Sequence, residues 1–397
     1  MKIALVAQHA NPAAFAAAGQ SGEDIRVREL GRSLACEGHH VTVYAQQTDH
    51  AQPGHAELHP GVRIEYIGSP ATGRDEAELL ARVPDFAAPL RDRLDRERPD
   101  VVHAMRWTSG LAALAATRDL RVPVVQSFDS LGVAERRHHL IPDIAAAKRI
   151  RLESAIARGV SAVLAGSSDE ESDLASLGVP RRSITVVPFG VDTDAFAPDG
   201  PTAKRGDRPR LVTMTELDAH EELATLLQAL SKVPGAELVI AGGPPRAELA
   251  DDPAHRKLAS LAGVLGVADR VVFTGELDRA ALPPLLRSAD LLVSTAEYDP
   301  TGVVPLEAMA CGTPVVATAG GGQGDAIVDG TTGILVSPRR PALLAQRIRQ
   351  LLAHPMQLEA FSLAAADRAR SRYSWDRIAH ETLAVYDSVR DTAPLAA

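Results

Sequence analysis

DPTGVVPLEAMACGTPVVAT, residues 299–318, is the stretch on which the reading of this chain turns. It follows a short apolar run, residues 291–294, that reads as a strand buried on both faces. Asp299 therefore falls just past the C-terminal end of that strand. Gly302 gives a point without a side chain where the backbone can approach a ligand. Pro305 suits the first turn of a helix, where its missing N–H costs nothing. A helix that begins near residues 303–305 presents unbonded N–H groups and the positive end of its dipole, which suits phosphate. Glu307 lies about one turn further on. Two carboxylates eight residues apart accept hydrogen bonds from sugar or ribose hydroxyls, beside a helix start that holds phosphate. That is the equipment a nucleotide-sugar site needs.

Outward from this segment, strand and helix patterns alternate in both directions. Strands are expected at 3–7, 40–45, 62–67, 101–103, 122–126, 162–165 and 184–187, then at 211–215, 236–241, 271–274, 291–294, 314–317 and 333–336. Helical periodicity fills the gaps, for example over 74–98, 144–158, 222–230, 255–265, 280–288, 339–353 and 375–390. Between the halves, residues 189–210 are rich in Pro, Gly and Asp and carry no periodicity, as a linker does. Repeated βαβ units build parallel sheets with right-handed crossovers, and such sheets bind ligands at their C-terminal strand edges. The fold class expected is α/β, with two Rossmann-like, doubly wound domains facing across a deep cleft. The boundaries expected are 1–195 for the first domain, 196–210 for the linker, 211–373 for the second domain and 374–397 for a closing helix that crosses back.

Composition agrees. A chain of 397 residues fits two domains. Its 45% hydrophobic and 23% charged residues exclude a disordered chain, a collagen and a coiled coil. A formal net charge of −9 makes nucleic acid or an anionic membrane a poor partner. Cys36 and Cys311 build neither a disulfide framework nor a CxxC zinc pattern, which points to a reducing cytoplasm. The first residues lack the apolar core of a signal peptide, and no run of about 18 apolar residues is present to span a membrane. GGGQG at 320–324 lacks the trailing Lys and Ser/Thr of a P-loop.

Together with PDVVHAMRWTSG (99–110), SITVVPFGVDTDAFAP (183–198), ELVIAGGPP (237–245), RVVFTGEL (270–277) and YSWDRIAHETLAVY (373–386), the 299–318 segment resembles the retaining glycosyltransferases of family 4, actinobacterial type, over essentially the whole chain. The resemblance implies the GT-B fold. It implies that Glu307 holds the donor ribose and that Asp299 stands where the family's first Glu contacts the transferred sugar. Thr301, Gly302, Val303 and Val304 would hold sugar and phosphate through their backbone. Thr274, Glu276 and Leu277 would line the base pocket, Gly242 and Gly243 would lie near the donor, and Gly19 and Gly22 would flank a phosphate loop. His103, with Arg106, Trp107 and Asp129, would face the acceptor, and His103 and Asp299 would be the catalytic pair. No metal or further cofactor is implied. The partners would be a nucleotide sugar and a small-molecule acceptor, in a monomer or homodimer.

Two departures stand out. The family's Arg, and the Lys five residues on, are replaced by Glu216 and Glu221, with Glu222 beside the latter. At ~4 Å and an effective dielectric near 20, one charge pair is worth about 4 kcal/mol, so two sign reversals beside a diphosphate matter. Nearby basic residues, His220, Arg246, Arg106 or Lys148, are candidates to replace the pair. The family's His-x-His is reduced to His103 and Met105. The activity expected is transfer of a hexose-like sugar, with retention, from a nucleoside diphosphate to a small polar alcohol or thiol, such as a natural-product or inositol-type intermediate. A catalytically inactive binding relative and a nucleotide-sugar epimerase are the alternatives. Plainer readings also stand: Asp299 as a turn former, His103 as a satisfied strand-end histidine, and the three glutamates as a solvated helix start.

Overall fold

The computed structural model describes residues 1–10, 22–48, 52–70 and 76–392. Contacts divide them into two compact units, one of residues 1–10, 22–189 and 375–392 and the other of residues 190–374.

The first unit is built on eight strands: β1 (Lys2–Val6), β2 (His40–Gln46), β3 (His55–His59), β4 (Val62–Ile67), β5 (Val101–Met105), β6 (Val124–Ser127), β7 (Ala162–Ala165) and β8 (Ile184–Val186). Their order is β3-β4-β2-β1-β5-β6-β7-β8. All neighbours pair in parallel except β3, which runs antiparallel to β4. The inner strands are apolar runs because helices cover both of their faces: every residue of β5, β6 and β7 is buried. Strand β3 has no counterpart in the sequence reading. HAELH is a short polar edge strand with no buried residue, so no apolar run announces it.

The second unit has six strands: β9 (Arg210–Met214), β10 (Glu237–Ala241), β11 (Val271–Gly275), β12 (Leu291–Ser294), β13 (Val315–Thr318) and β14 (Gly333–Val336). They are all parallel, in the order β11-β10-β9-β12-β13-β14. The order reverses between β9 and β12, as it does between β1 and β5 in the first unit. Neighbouring crossovers leave on opposite faces at such a reversal, and a crevice opens at the C-terminal strand ends. Leu211, Leu223, Leu226, Leu238, Ile240, Val316 and Ile348 form the heart of this unit's core.

Several helices were not foreseen individually, among them Arg106–Thr117 and Pro355–Tyr373. Arg106–Thr117 starts directly at the end of β5, with no intervening loop. Pro355–Tyr373 buries mainly alanines, with Phe361 and Tyr373 at intervals, so its apolar stripe is faint in sequence. Of residues 189–210, expected as a linker, 190–209 carry no helix or strand but are tied to the second unit. Phe196 is fully buried there, and Arg287 donates to the Pro201 and Ala197 carbonyls. The closing helix Trp375–Thr392 packs in the first unit, where Ser33 bonds Asp376 at 3.2 Å. Among the described residues no helix is long and apolar enough to cross a membrane.

Candidate functional site

In the second unit, the reversal between β9 and β12 opens a cavity of about 290 Å³, walled by Thr213, Thr215, Glu222, Thr295, Tyr298 and Asp299. A larger hollow, about 580 Å³, lies at the other, N-terminal ends of β1 and β2 in the first unit, beside Lys2 and Arg63. It carries none of the residues singled out above, and ligands of such sheets bind at C-terminal ends.

Asp299 is the organiser of the β9–β12 cavity's far wall. Its Oδ1 accepts bonds from the Thr301 N–H (3.0 Å), the Thr301 hydroxyl (3.1 Å) and the Gly302 N–H (2.8 Å). This Asx turn launches the helix Val303–Ala310. Gly302 caps it in the left-handed region, φ 66°. A Cβ there would sit 2.8 Å from the Gln323 nitrogen, so glycine is required on both counts. The GGGQG stretch packs behind the turn: the Gly322 N–H donates to the Asp299 carbonyl at 2.8 Å. Fully buried Gln323 braces it, accepting from Ser294 Oγ and donating to the Ala296 carbonyl, both at 2.9 Å. Sequence reasoning passed over Gln323, although a lone amide inside a glycine run was the signal.

Glu307 is 2% exposed and pairs with Arg279 at 2.8 Å. Burial raises its pKa, and the Arg279 guanidinium opposes that rise. Arg279 in turn lies over the Phe196 ring, 5.0 Å from its centroid. Arg279 was not anticipated, and its place two residues past 274–277 gave no pattern to read. Thr274, Glu276 and Leu277 are half-buried at the end of β11, where the Thr274 hydroxyl donates to the Gly275 carbonyl and the Glu276 N–H to that of Pro244. Gly242 donates its N–H to the Gly275 carbonyl, and Gly243 lies against Leu217. Both support the loop that carries Glu216. Val303 and Val304 are half-buried, and Val304 lines the cavity. Gly22 is the first residue of the helix Gly22–Cys36, and Gly19 lies outside the described residues.

The three glutamates singled out in the sequence lie at the same edge. Glu216 is exposed, while Glu222 is half-buried and accepts a bond from the Glu297 N–H at 3.2 Å. Burial raises the Glu222 pKa; the bond from Glu297 opposes this, and the charges of Glu297, Asp299 and Asp218 add to the rise. Exposed Glu221 pairs with Arg339 at 3.3 Å, and the same guanidinium bonds Glu297. Arg339 holds a left-handed backbone, φ 55°, a conformation that costs a non-glycine residue about 1 kcal/mol or more. It was not among the substitute cations weighed from sequence.

In the first unit, His103 is 1% exposed, and its ring nitrogens bond the Tyr386 hydroxyl (2.6 Å) and Ser127 Oγ (2.9 Å). The residue expected to be catalytic and to face the acceptor thus lies on a central strand covered on both faces, with its ring in the core. Desolvation, with the Arg26 charge behind it, lowers its pKa to about 3. A pKa depressed on folding contributes stability that is complete above the unfolded value near 6.5 and is lost as pH falls towards 3. His103→Gln is therefore expected to be less stable than the wild type at pH 8, with the gap narrowing by up to about 1.4 kcal/mol for each unit below 6.5. Denaturant titrations of both proteins at pH 8 and 5 measure it; an equal gap at both pH values would refute a neutral, buried His103.

Trp107, also expected at the acceptor, is 4% exposed and belongs to the core, inside a helix rather than a loop. Arg106 and Asp129 do stand at the C-terminal edge, just past β5 and β6, and both hold φ 63°. Asp129 pairs with buried Arg26 at 2.9 Å, and Arg106 lies 4.0 Å from Glu23. Nearby, Glu170 is 4% exposed, accepts the Gly166 N–H at 2.6 Å and has its pKa pushed up to about 7, chiefly by burial. Among the described residues no three His, Cys, Asp or Glu side chains are grouped to hold a metal ion.

Comparison with known proteins gives two family matches. Residues 199–368 match the model for glycosyl transferases group 1, and residues 21–190 match a glycosyl transferase 4-like domain. The chain is 31% identical to a D-inositol 3-phosphate glycosyltransferase of Xylanimonas cellulosilytica, over 99% of this chain and 98% of that one. It is 30% identical to the protein of the same name from Kribbella flavida, over 98% and 96%. A sucrose-phosphate synthase structure from Thermosynechococcus elongatus superposes with a TM-score of 0.86 at 27% identity, over 98% of this chain and 99% of that one. Anabaena HepE, solved in complex with UDP and glucose, shares the fold with a TM-score of 0.74 at 19% identity, over 98% and 100%.

Proposed function

The chain belongs to the group 1 glycosyltransferases, with the GT-B fold, and from that premise we propose that it moves a hexose-like sugar from a nucleoside diphosphate to a small polar acceptor, with retention at the anomeric carbon. The second unit takes the donor and the first unit the acceptor, an alcohol or thiol about the size of an inositol. The observation that carries the donor assignment is the cavity at the β9–β12 reversal, with the Asp299 turn and a helix start in its wall.

Each group then has a task. The first N–H groups of the helix Val303–Ala310 have no partner within the helix and face the side on which the leaving phosphate gathers charge. Asp299 fixes the turn that aims them. Glu307, paired with Arg279, accepts from the ribose hydroxyls. Arg339 brings a guanidinium to the place where Glu221 stands instead of a cation, and it exchanges its carboxylate partners for the diphosphate when the donor arrives. Retention by front-face attack lets the departing phosphate take the acceptor proton. A buried His103 with both nitrogens engaged agrees with that route.

Thermal unfolding with UDP, GDP, ADP and dTDP tests the donor site. A ligand at 100 times its dissociation constant stabilises the folded state by about 2.7 kcal/mol, so one nucleotide is expected to raise Tm by several degrees. Arg339→Ala is expected to weaken that nucleotide about tenfold with the apo Tm little changed. No shift with any nucleotide, in a folded protein, would sink the donor reading. A product of the opposite anomeric configuration would sink retention alone.

A further inference from the structure

The first unit's strand edge holds a buried arginine of the kind a phosphorylated acceptor would seek, and the protein has already filled it. Arg149 is 5% exposed. Its Nη1 donates to Glu135 Oε2 at 2.9 Å, its Nε to Glu153 Oε1 at 2.7 Å, and its Nη2 to the Ser130 carbonyl at 2.9 Å. The Ser130 hydroxyl donates to the other Glu135 oxygen at 2.8 Å. The Gly132 N–H, just beyond, goes to Glu153 at 2.9 Å. Guanidinium, hydroxyl and N–H are the donors that ordinarily converge on a phosphate. Here two carboxylates take all three. Arg26, the neighbouring buried cation, is neutralised by Asp129.

We propose that Glu135 is a specificity-determining residue: its carboxylate occupies the place of an acceptor phosphate between Arg149 and Ser130, so that this chain takes an unphosphorylated acceptor. Relatives named for D-inositol 3-phosphate would differ on this point. The proposal rests on the first unit being the acceptor side. Glu153 is fully buried and grips the backbone at Gly132, so it serves the fold. Glu135 is 15% exposed at its side chain and joins two groups that a ligand would otherwise engage. A phosphate that entered with Glu135 in place would meet a carboxylate where it needs a cation.

The full-length wild type, Glu135→Gln and Glu135→Ala are titrated with inorganic phosphate and with inositol 3-phosphate, each protein first checked for a cooperative unfolding transition. Glutamine keeps the shape and the Ser130 bond but removes the charge, so it serves should alanine fail to fold. The wild type is expected to bind neither probe at millimolar concentration, and the variants are expected to gain at least tenfold in affinity for inositol 3-phosphate. Arg149→Met in the Glu135→Gln background should abolish that gain. Tight binding of inositol 3-phosphate by the wild type, or no gain in either variant, overturns the proposal. Nucleoside diphosphate binding is read in the same samples: its loss throughout would fault the glycosyltransfer reading, whereas its presence with no phosphate gain faults Glu135 alone.

Discussion

Glu307→Ala is expected to destabilise the second unit and to abolish donor binding together. The carboxylate is 2% exposed and is the ion partner of Arg279. Its removal leaves a guanidinium, 21% exposed at its side chain, held against Phe196 without a counter-charge. Breaking a buried pair by removing one member costs roughly 3–5 kcal/mol. In a unit of this size about 3 kcal/mol lowers Tm by roughly 6–12 °C. The double variant Glu307→Met with Arg279→Met removes both charges and keeps the volume, so most of that stability is expected to return. Donor affinity should not return, because the ribose acceptor is still missing. Calorimetry and nucleotide titration on the three proteins check this. Recovery of nucleotide binding in the double variant would remove Glu307 from the donor site and leave it as a structural ion pair.

Gly302→Val is expected to have the other large effect. A β-branched residue at φ 66° is strained by about 1–3 kcal/mol, and its Cβ would press on the Gln323 nitrogen at 2.8 Å. The GGGQG backbone behind it is itself packed on the Asp299 turn, so nothing gives without moving the helix start. Sugar transfer should fall by more than about 100-fold, in line with displacements of an ångström at a reacting centre. Gly178→Ala is the control. Gly178 also has a positive φ, 83°, but a Cβ there meets nothing within 4 Å, so backbone strain acts alone and activity should persist. Equal losses of activity in both variants would mean that general destabilisation, and not the placement of the 299–302 turn, sets the rate.

Local signals made much of the molecule readable. A strand buried on both faces must be an apolar run, and a helix beginning after Gly-x-x-Pro must start near that proline. Leu291–Ser294, Gly302 and the helix Val303–Ala310 therefore stood in the sequence, and with them the α/β class and the candidate donor site. The polar edge strand His55–His59 and the alanine-faced helix Pro355–Tyr373 gave weak signals, because little apolar surface distinguishes their faces.

Pairings between distant residues were another matter. His103 is a histidine at a strand end in the sequence; a tyrosine 283 positions away makes it a core residue. Arg279 and Glu307, Arg339 and Glu221, and Arg149 and Glu135 are pairs of charges whose partners are set by where helices and loops return to a strand edge. Local patterns say which elements form and which residue types gather near the ends of β9 and β12. Which charges remain open to a ligand, and which are already answered by the protein, depends on how distant parts of the chain come together. The difference is one of range. Backbone propensity and apolar periodicity act over a few residues and are written locally, whereas an ion pair depends on the three-dimensional separation of two side chains and the water excluded around them.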